Sequence, residues 1–204
     1  MTDVDARALR ADASRNRETV LAAATRVFAS CETEPSMRAI AREAGVGIAT
    51  LYRHFPTRES LVDAVYHDQV ERLTVGAREL LEQLPPAEAM RQWMDLFGDW
   101  LMTKHGMIDT LLAMIESGEI ALAQTRAELL DVITAILDAG RAAGDLRADI
   151  SAEDIAASLL GIFTVAGQPG QRTQADRLLN LLMDGLRRGP PAAPAALRRP
   201  GRLR

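Results

Sequence analysis

Apolar residues recur every three or four positions through almost the whole chain, and no alternation of period two lasts long enough to make a strand. That periodicity restricts the polypeptide to helices packed on helices, and 204 residues are enough to bury a sizeable core. With 48% apolar and 25% charged residues, a disordered or collagen-like chain is excluded. Aromatics are only 4%, and Ala, Leu, Arg, Asp and Glu dominate, which favours helix over sheet.

The single cysteine, Cys31, cannot form an internal disulfide, and no set of cysteines exists to hold zinc. No metal or cofactor is expected. Residues 1–17 are charged and lack the apolar stretch of a secretory leader. The longest apolar run, residues 156–167, falls short of the roughly 20 residues that span a bilayer. The expectation is a soluble cytoplasmic protein with no membrane partner.

Local signals divide the chain into about nine helices. Val20, Leu21, Ala24, Val27 and Phe28 repeat at helical spacing and predict a first helix over residues 14–30. Ser36 is placed as the N-cap of a short helix with Met37, Ile40 and Ala41 inward, and Gly45 suits the left-handed residue that stops it. Gly47 then caps a third helix that turns Leu51 and Phe55 inward and leaves Ile48, Ala49, Thr50, Tyr52, Arg53 and His54 largely outward. Pro56 ends it, and Thr57 caps a helix of nearly seven turns that reaches Pro85. Beyond it, helices are expected over residues 87–104, between Gly106 and Gly118, and over residues 121–143. A capping box at Ser151 and Asp154 opens the next, and a last helix follows Gln168-Pro169-Gly170. From Gly189 onward the sequence is Pro, Ala, Gly and Arg without apolar period and reads as a disordered basic tail.

Charge is segregated along this plan. Residues 1–58 hold nine arginines and seven acids (+2), residues 59–186 nine basic and twenty-one acidic residues (−12), and residues 187–204 six arginines and no acid (+6). A polyanion is repelled by the middle segment, so a nucleic-acid surface belongs at a terminus. A solvated surface explains the same counts.

Residues 36–55 put two short helices around Ala44-Gly45-Val46-Gly47, with small residues where the helices cross and glycine where the turn bends: a helix-turn-helix. The run Ile40-Ala41-Arg42-Glu43-Ala44-Gly45-Val46-Gly47-Ile48-Ala49-Thr50-Leu51-Tyr52-Arg53-His54-Phe55, followed by Pro56-Thr57-Arg58-Glu59, resembles the DNA-binding signature of TetR-type transcriptional regulators. The resemblance extends over about residues 17–66. Beyond that, the chain is similar to the family only in being helical and of suitable length. One departure is Cys31-Glu32, where the family usually has a glycine to end the first helix; a reshaped loop before Ser36 is expected there.

The resemblance implies an all-α protein. Residues 14–60 form a three-helix helix-turn-helix domain, and residues 61–188 a helical domain for effector binding and dimerisation. It further implies a homodimer on palindromic operator DNA that a small molecule releases, with repression the commoner mode. In that scheme Gly47, Ile48 and Ala49 approach base edges and thymine methyls. Thr50, Tyr52 and His54 donate to phosphates. Arg58, opening the fourth helix, holds another phosphate with the help of free backbone N–H groups. Arg38 is the candidate for bidentate reading of a guanine, and Arg15 and Arg17 for contacts from the N-terminal arm. Each has a plainer alternative: Tyr52 filling a gap between helices, His54 satisfied at a helix end, Arg38, Arg42 and Arg53 merely solvated.

For the second domain, Met90, Trp93, Met94, Phe97 and Met114 are candidates to line an effector pocket, because thioethers and indoles form adaptable apolar walls; ordinary core is the competing reading. Ile155, Leu159, Phe163, Leu178, Leu182 and Leu186 on the last two helices are candidates for a four-helix dimer interface, or else they pack internally. An enzyme is disfavoured, because no glycine-rich phosphate loop, HExxH pair or GxSxG elbow is present. The remaining alternative is an architectural DNA-binding protein without an effector, from which an internal cavity in the second domain would distinguish a regulator.

Overall fold

Short polar caps cut the helical periodicity into discrete rods. The computed structural model describes residues 3–30, 33–167 and 170–187, with side chains from residue 15 onward. Among the described residues the helices are α1 (Asp3–Ser30), α2 (Met37–Glu43), α3 (Ile48–His54), α4 (Arg58–Gln83), α5 (Pro86–His105), α6 (Ile108–Glu116), α7 (Leu122–Ala143), α8 (Ala152–Ala166) and α9 (Arg172–Leu186). Strands are absent from these residues; one isolated antiparallel bridge pairs Leu146 with Arg187. The fold is all-α, with an N-terminal helix-turn-helix followed by a helical C-terminal part. α1 starts well before the expected residue 14. Cys31-Glu32 and the tail from residue 188, about which loop reshaping and disorder were expected, lie outside the described residues.

The caps act as the sequence predicts. Ser36 Oγ accepts the Ala39 N–H at 3.2 Å to open α2. Gly45 takes φ +67°, which costs a side-chain-bearing residue but not glycine, and so lets the chain reverse into α3. Thr57 and Ser60 cap α4 reciprocally, as Ser151 and Asp154 cap α8. At the latter, the Ser151 backbone N–H and then its hydroxyl hold the Asp154 carboxyl below its ordinary pKa.

A single hydrophobic core runs the length of the molecule. At its N-terminal end Val20, Leu21, Phe28, Ile40, Leu51, Phe55 and Leu61 clamp α1, α2, α3 and α4 together. Further along, Trp93 is wholly buried and donates its indole N–H to the Leu73 carbonyl at 3.0 Å, tying α5 to α4. Tyr66, Trp100, Phe97 and Phe163 continue the core as tilted ring pairs with centroids 5.3 to 6.4 Å apart. Each such ring contributes about 1.5–3 kcal/mol from burial.

Two contacts fix the helix-turn-helix end to the rest. Gly106 lies so close to α1 that a Cβ there would overlap the Phe28 carbonyl oxygen. Between α1 and α2, the Glu34 carboxylate accepts the Thr110 backbone N–H (2.8 Å), the Thr110 hydroxyl (3.0 Å) and Arg58 Nε (2.9 Å). The Arg58 guanidinium also donates to the Pro35 carbonyl and sits 5.9 Å from the centroid of the Phe28 ring. One carboxylate therefore joins the start of the helix-turn-helix, the first turn of α4 and the first turn of α6.

Candidate nucleic-acid interface and ligand cavity

The helix-turn-helix is held from within by Leu51 and Phe55, which are buried, so the other faces of α3 point away from the core. Tyr52 is 46% exposed, a large value for an aromatic residue unless its hydroxyl and ring edge meet something outside the chain. Gly47, Ala49 and Arg53 are exposed, Thr50 and His54 half-buried, and Ile48 packs partly against the core. Arg53 Nη2 donates to Thr50 Oγ1 at 2.8 Å. On α2, Arg38 is exposed and makes no ion pair among the described residues, whereas Glu43 is taken by Arg26 at 3.4 Å. Arg17 lies over the Phe55 ring, 5.3 Å from its centroid, at the edge of the same unit.

Arg58 departs from the expectation. Its guanidinium faces inward, 2.8 Å from Glu34 Oε2, and the Thr57–Ser60 box already takes the backbone N–H groups of Thr57 and Ser60. A charge satisfied by a half-buried carboxylate, a hydroxyl and a carbonyl has few donors left for a phosphate. The sequence reading missed Glu34 and Thr110 because they are 24 and 76 residues away from their partners in the chain.

The C-terminal part encloses a cavity of about 320 Å³ between α4, α5, α7 and α8, at the lower end of the ~300–1,000 Å³ typical of small-molecule sites. Tyr66, Phe97, Trp100, Thr125, Leu129 and Ile133 form its inner walls, and Leu122, Arg126, Glu153, Ala157 and Leu160 its exposed mouth. The Tyr66 hydroxyl donates to Thr125 Oγ1 at 2.9 Å, and burial raises the phenol pKa above its ordinary value. Of the five residues expected here only Phe97 lines this space. Met90, Trp93, Met94 and Met114 are buried core, as their competing reading has it. An apolar stripe at helical spacing describes a core and a cavity wall equally, so spacing alone could not separate them. A better signal lay in Lys104, the only lysine in the sequence, on the fourth residue after Trp100.

The expected dimer residues need a similar correction. Ile155, Leu159, Phe163 and Leu186 are buried within the one chain, and Leu178 and Leu182 are partly buried against its core. The exposed apolar residues of α8 and α9 are instead Leu160 (50%), Val165 (63%) and Leu181 (69%). From Ala156 to Ala166, α8 has no charged residue, so period 3.6 could not say which stripe faces inward. Beside the exposed residues, Gly161 and Gly185 have open space at the Cβ position.

Among the described residues no group of three or more His, Cys, Asp or Glu could hold a metal ion, and no helix is long and apolar enough to cross a membrane.

Comparison with known proteins agrees with this arrangement. Residues 20–65 match the family model for bacterial regulatory proteins of the tetR family, and residues 85–188 match the C-terminal domain of SbtR-like transcriptional regulators. A TetR transcriptional regulator of Streptomyces coelicolor is 47% identical, with 84% of this chain and 98% of that one covered and a TM-score of 0.76. A TetR regulatory protein of Mycobacterium vanbaalenii is 36% identical over 88% of this chain and 99% of its own, with a TM-score of 0.68. A TetR-family regulator of Agrobacterium tumefaciens shares the fold at 18% identity and a TM-score of 0.61, covering 86% of this chain and all of its own. Comparison with curated proteins gives no match. The helix-turn-helix with its outward donors, the helical C-terminal part and these two family matches lead to one assignment: the chain belongs to the TetR family of transcriptional regulators.

Proposed function

We propose that the protein is a homodimeric repressor that binds a palindromic operator through residues 14–60 and is released when a small molecule occupies the α4–α8 cavity. The observation that carries the reading is the outward face of α3, where Tyr52, Ala49 and Gly47 are exposed beside half-buried Thr50 and His54. Small residues allow close approach to base edges and thymine methyls, the hydroxyls and imidazole anchor phosphates, and the unpaired Arg38 of α2 reads a guanine. Arg58 acts at one remove, holding the loop before α2 rather than touching DNA.

The second copy packs on Leu160 and Val165 of the uncharged stretch of α8 and on Leu181 of α9, beside glycines that permit close helix contact. A two-fold dimer built there repeats the recognition helix for successive turns of one DNA face, about 34 Å apart. Tyr66 in the cavity wall and Arg58 at the DNA-binding end lie on one continuous helix, α4. An effector that repacks around Tyr66 therefore acts on the Glu34–Arg58–Thr110 junction, and a differential affinity of about 1–3 kcal/mol between the two dimer geometries suffices for useful control. The presence of a cavity supports this reading over an architectural DNA-binding protein.

The test is selection of genomic fragments that the purified protein retains, followed by footprinting. A protected inverted repeat with half-sites one helical turn apart is expected. Binding that shows no sequence preference, with Tyr52→Phe and Arg38→Ala both silent, would falsify the operator reading.

A further inference from the structure

Positive charge and hydrogen-bond donors collect at the cavity, and among the described residues no carboxylate is bonded to them; Glu128, whose charge acts on Tyr66, accepts instead from Gln124. Lys104 is the sole lysine among 24 basic residues, and the cavity is where it stands. It is half-buried, its ammonium lies 4.5 Å from the centroid of the Trp100 ring, and it makes no ion pair among the described residues. Burial pushes its pKa below the ordinary lysine value, and the Trp100 ring face offsets only part of that cost. Trp100, in the same wall, has an indole N–H that is buried with no acceptor among the described residues, an arrangement native proteins rarely leave unmet. Arg126 stands at the mouth, also without an ion pair, and α7 begins beside it with neither a side-chain cap nor an acidic residue in its first turn. The single acid of the lining, Glu153, is exposed and bonded to neither cation. Neither the ammonium nor the indole N–H has an acceptor among the described residues. A bound anion satisfies both.

Apart from the mutually bonded Tyr66 and Thr125 hydroxyls, the rest of the inner wall is apolar, with Phe97, Leu129, Leu130, Ile133 and Leu160. We infer that the cavity takes an amphiphilic monocarboxylate, with its apolar body among these side chains and its carboxylate beside Lys104, within reach of Arg126 and the Trp100 N–H. A monoanion fits better than a phosphate ester, whose nearly doubled charge would face one half-buried ammonium and one exposed rim guanidinium with the Glu153 carboxylate also in the lining. This inference names the chemical class of the effector and rests on the reading of the α4–α8 cavity as the effector site.

Decanoate, decan-1-ol and decyl phosphate serve as probes of one tail with three heads, titrated into the full-length protein and followed by tryptophan fluorescence and thermal shift. Decanoate is expected to bind about tenfold more tightly than decan-1-ol, the size of one charge-assisted hydrogen bond. Lys104→Met, which keeps the apolar stem, should remove that preference by weakening decanoate while decan-1-ol stays as it was, and the alcohol then reports an intact cavity. Should Lys104→Met not fold, the exposed Arg126→Gln takes its place, with a smaller loss of the same sign. Equal affinity for acid and alcohol, stronger binding of decyl phosphate, undiminished decanoate binding by the variants, or no binding of any probe overturns the assignment. A gel shift separates the two layers: if decanoate binds with the expected preference yet leaves DNA affinity unchanged, the ligand chemistry stands and the effector reading falls.

Discussion

The two ends of this molecule use side chains in opposite ways. In the helix-turn-helix the informative residues are those the fold does not need: Tyr52, Arg38 and Ala49 face outward and leave the core of that unit to Leu51, Phe55 and Ile40. Around the cavity, the residues that would meet a ligand are continuous with the core, so Phe97 packs against Trp93 and Phe163 and lines the cavity as well. A function displayed on a surface is visible as chemistry out of place, whereas one enclosed in a helical domain looks like more core.

The contrast can be broken first at the proposed subunit contact. Leu181→Glu puts a charge on the most exposed large apolar residue of that patch, and sedimentation should then return the 22.2 kDa monomer. Operator affinity should fall by about 100-fold or more, because the second half-site is no longer tethered to the first. If the variant remains dimeric, the patch is misassigned. Next comes the place where the two ends touch: Gly106→Val forces a side chain into the Phe28 carbonyl and should cost about 2–3 kcal/mol in urea unfolding.

Smaller effects sharpen the division within the DNA-binding face. Arg38→Ala should lose about 1–3 kcal/mol against the preferred operator and relax base choice at one position, while Tyr52→Phe should lose about 1 kcal/mol against every sequence alike. Competition gel shifts with permuted operators distinguish them, and the reverse pattern would exchange their roles. Thr110→Val removes the hydroxyl that α6 offers to Glu34 and to Arg58. Ligand binding should be unaltered, yet the ligand-induced loss of operator affinity should shrink by about 0.5–2 kcal/mol.

The smallest effect is a pH-dependent one far from both sites. Paired N–H groups of Arg147 hold the Asp149 carboxyl down to about 2, so its stabilising contribution is present above the ordinary value and is lost as pH falls toward 2. Thermal melts of Asp149→Asn should therefore lie slightly below those of the parent at pH 6 and converge with them as pH falls from 4 to 2.

Much of the scaffold was legible because caps are local. Ser36, Gly45, Thr57 and the Ser151–Asp154 box each declare a boundary within four residues, and α4 begins and ends where Thr57 and Pro85 require. The outward face of α3 was legible for the same reason. Arg58 was not, since its partners Glu34 and Thr110 are brought to it only by tertiary packing. Ile155 and Leu159 were misjudged because α8 is apolar on every side, and Met90 and Met94 because a thioether in a core and one in a cavity wall obey the same period.

The solitary ammonium of Lys104 has a practical corollary. In a polypeptide that otherwise relies on guanidinium groups, amine-selective acylating reagents meet one side chain only, and that side chain borders the hollow. Its rate of acylation is a built-in gauge of occupancy, readable without any engineered label by the mass of the peptide that carries Lys104, which separates it from the α-amine: a compound that fills the space should slow the reaction, and a compound that settles elsewhere should not.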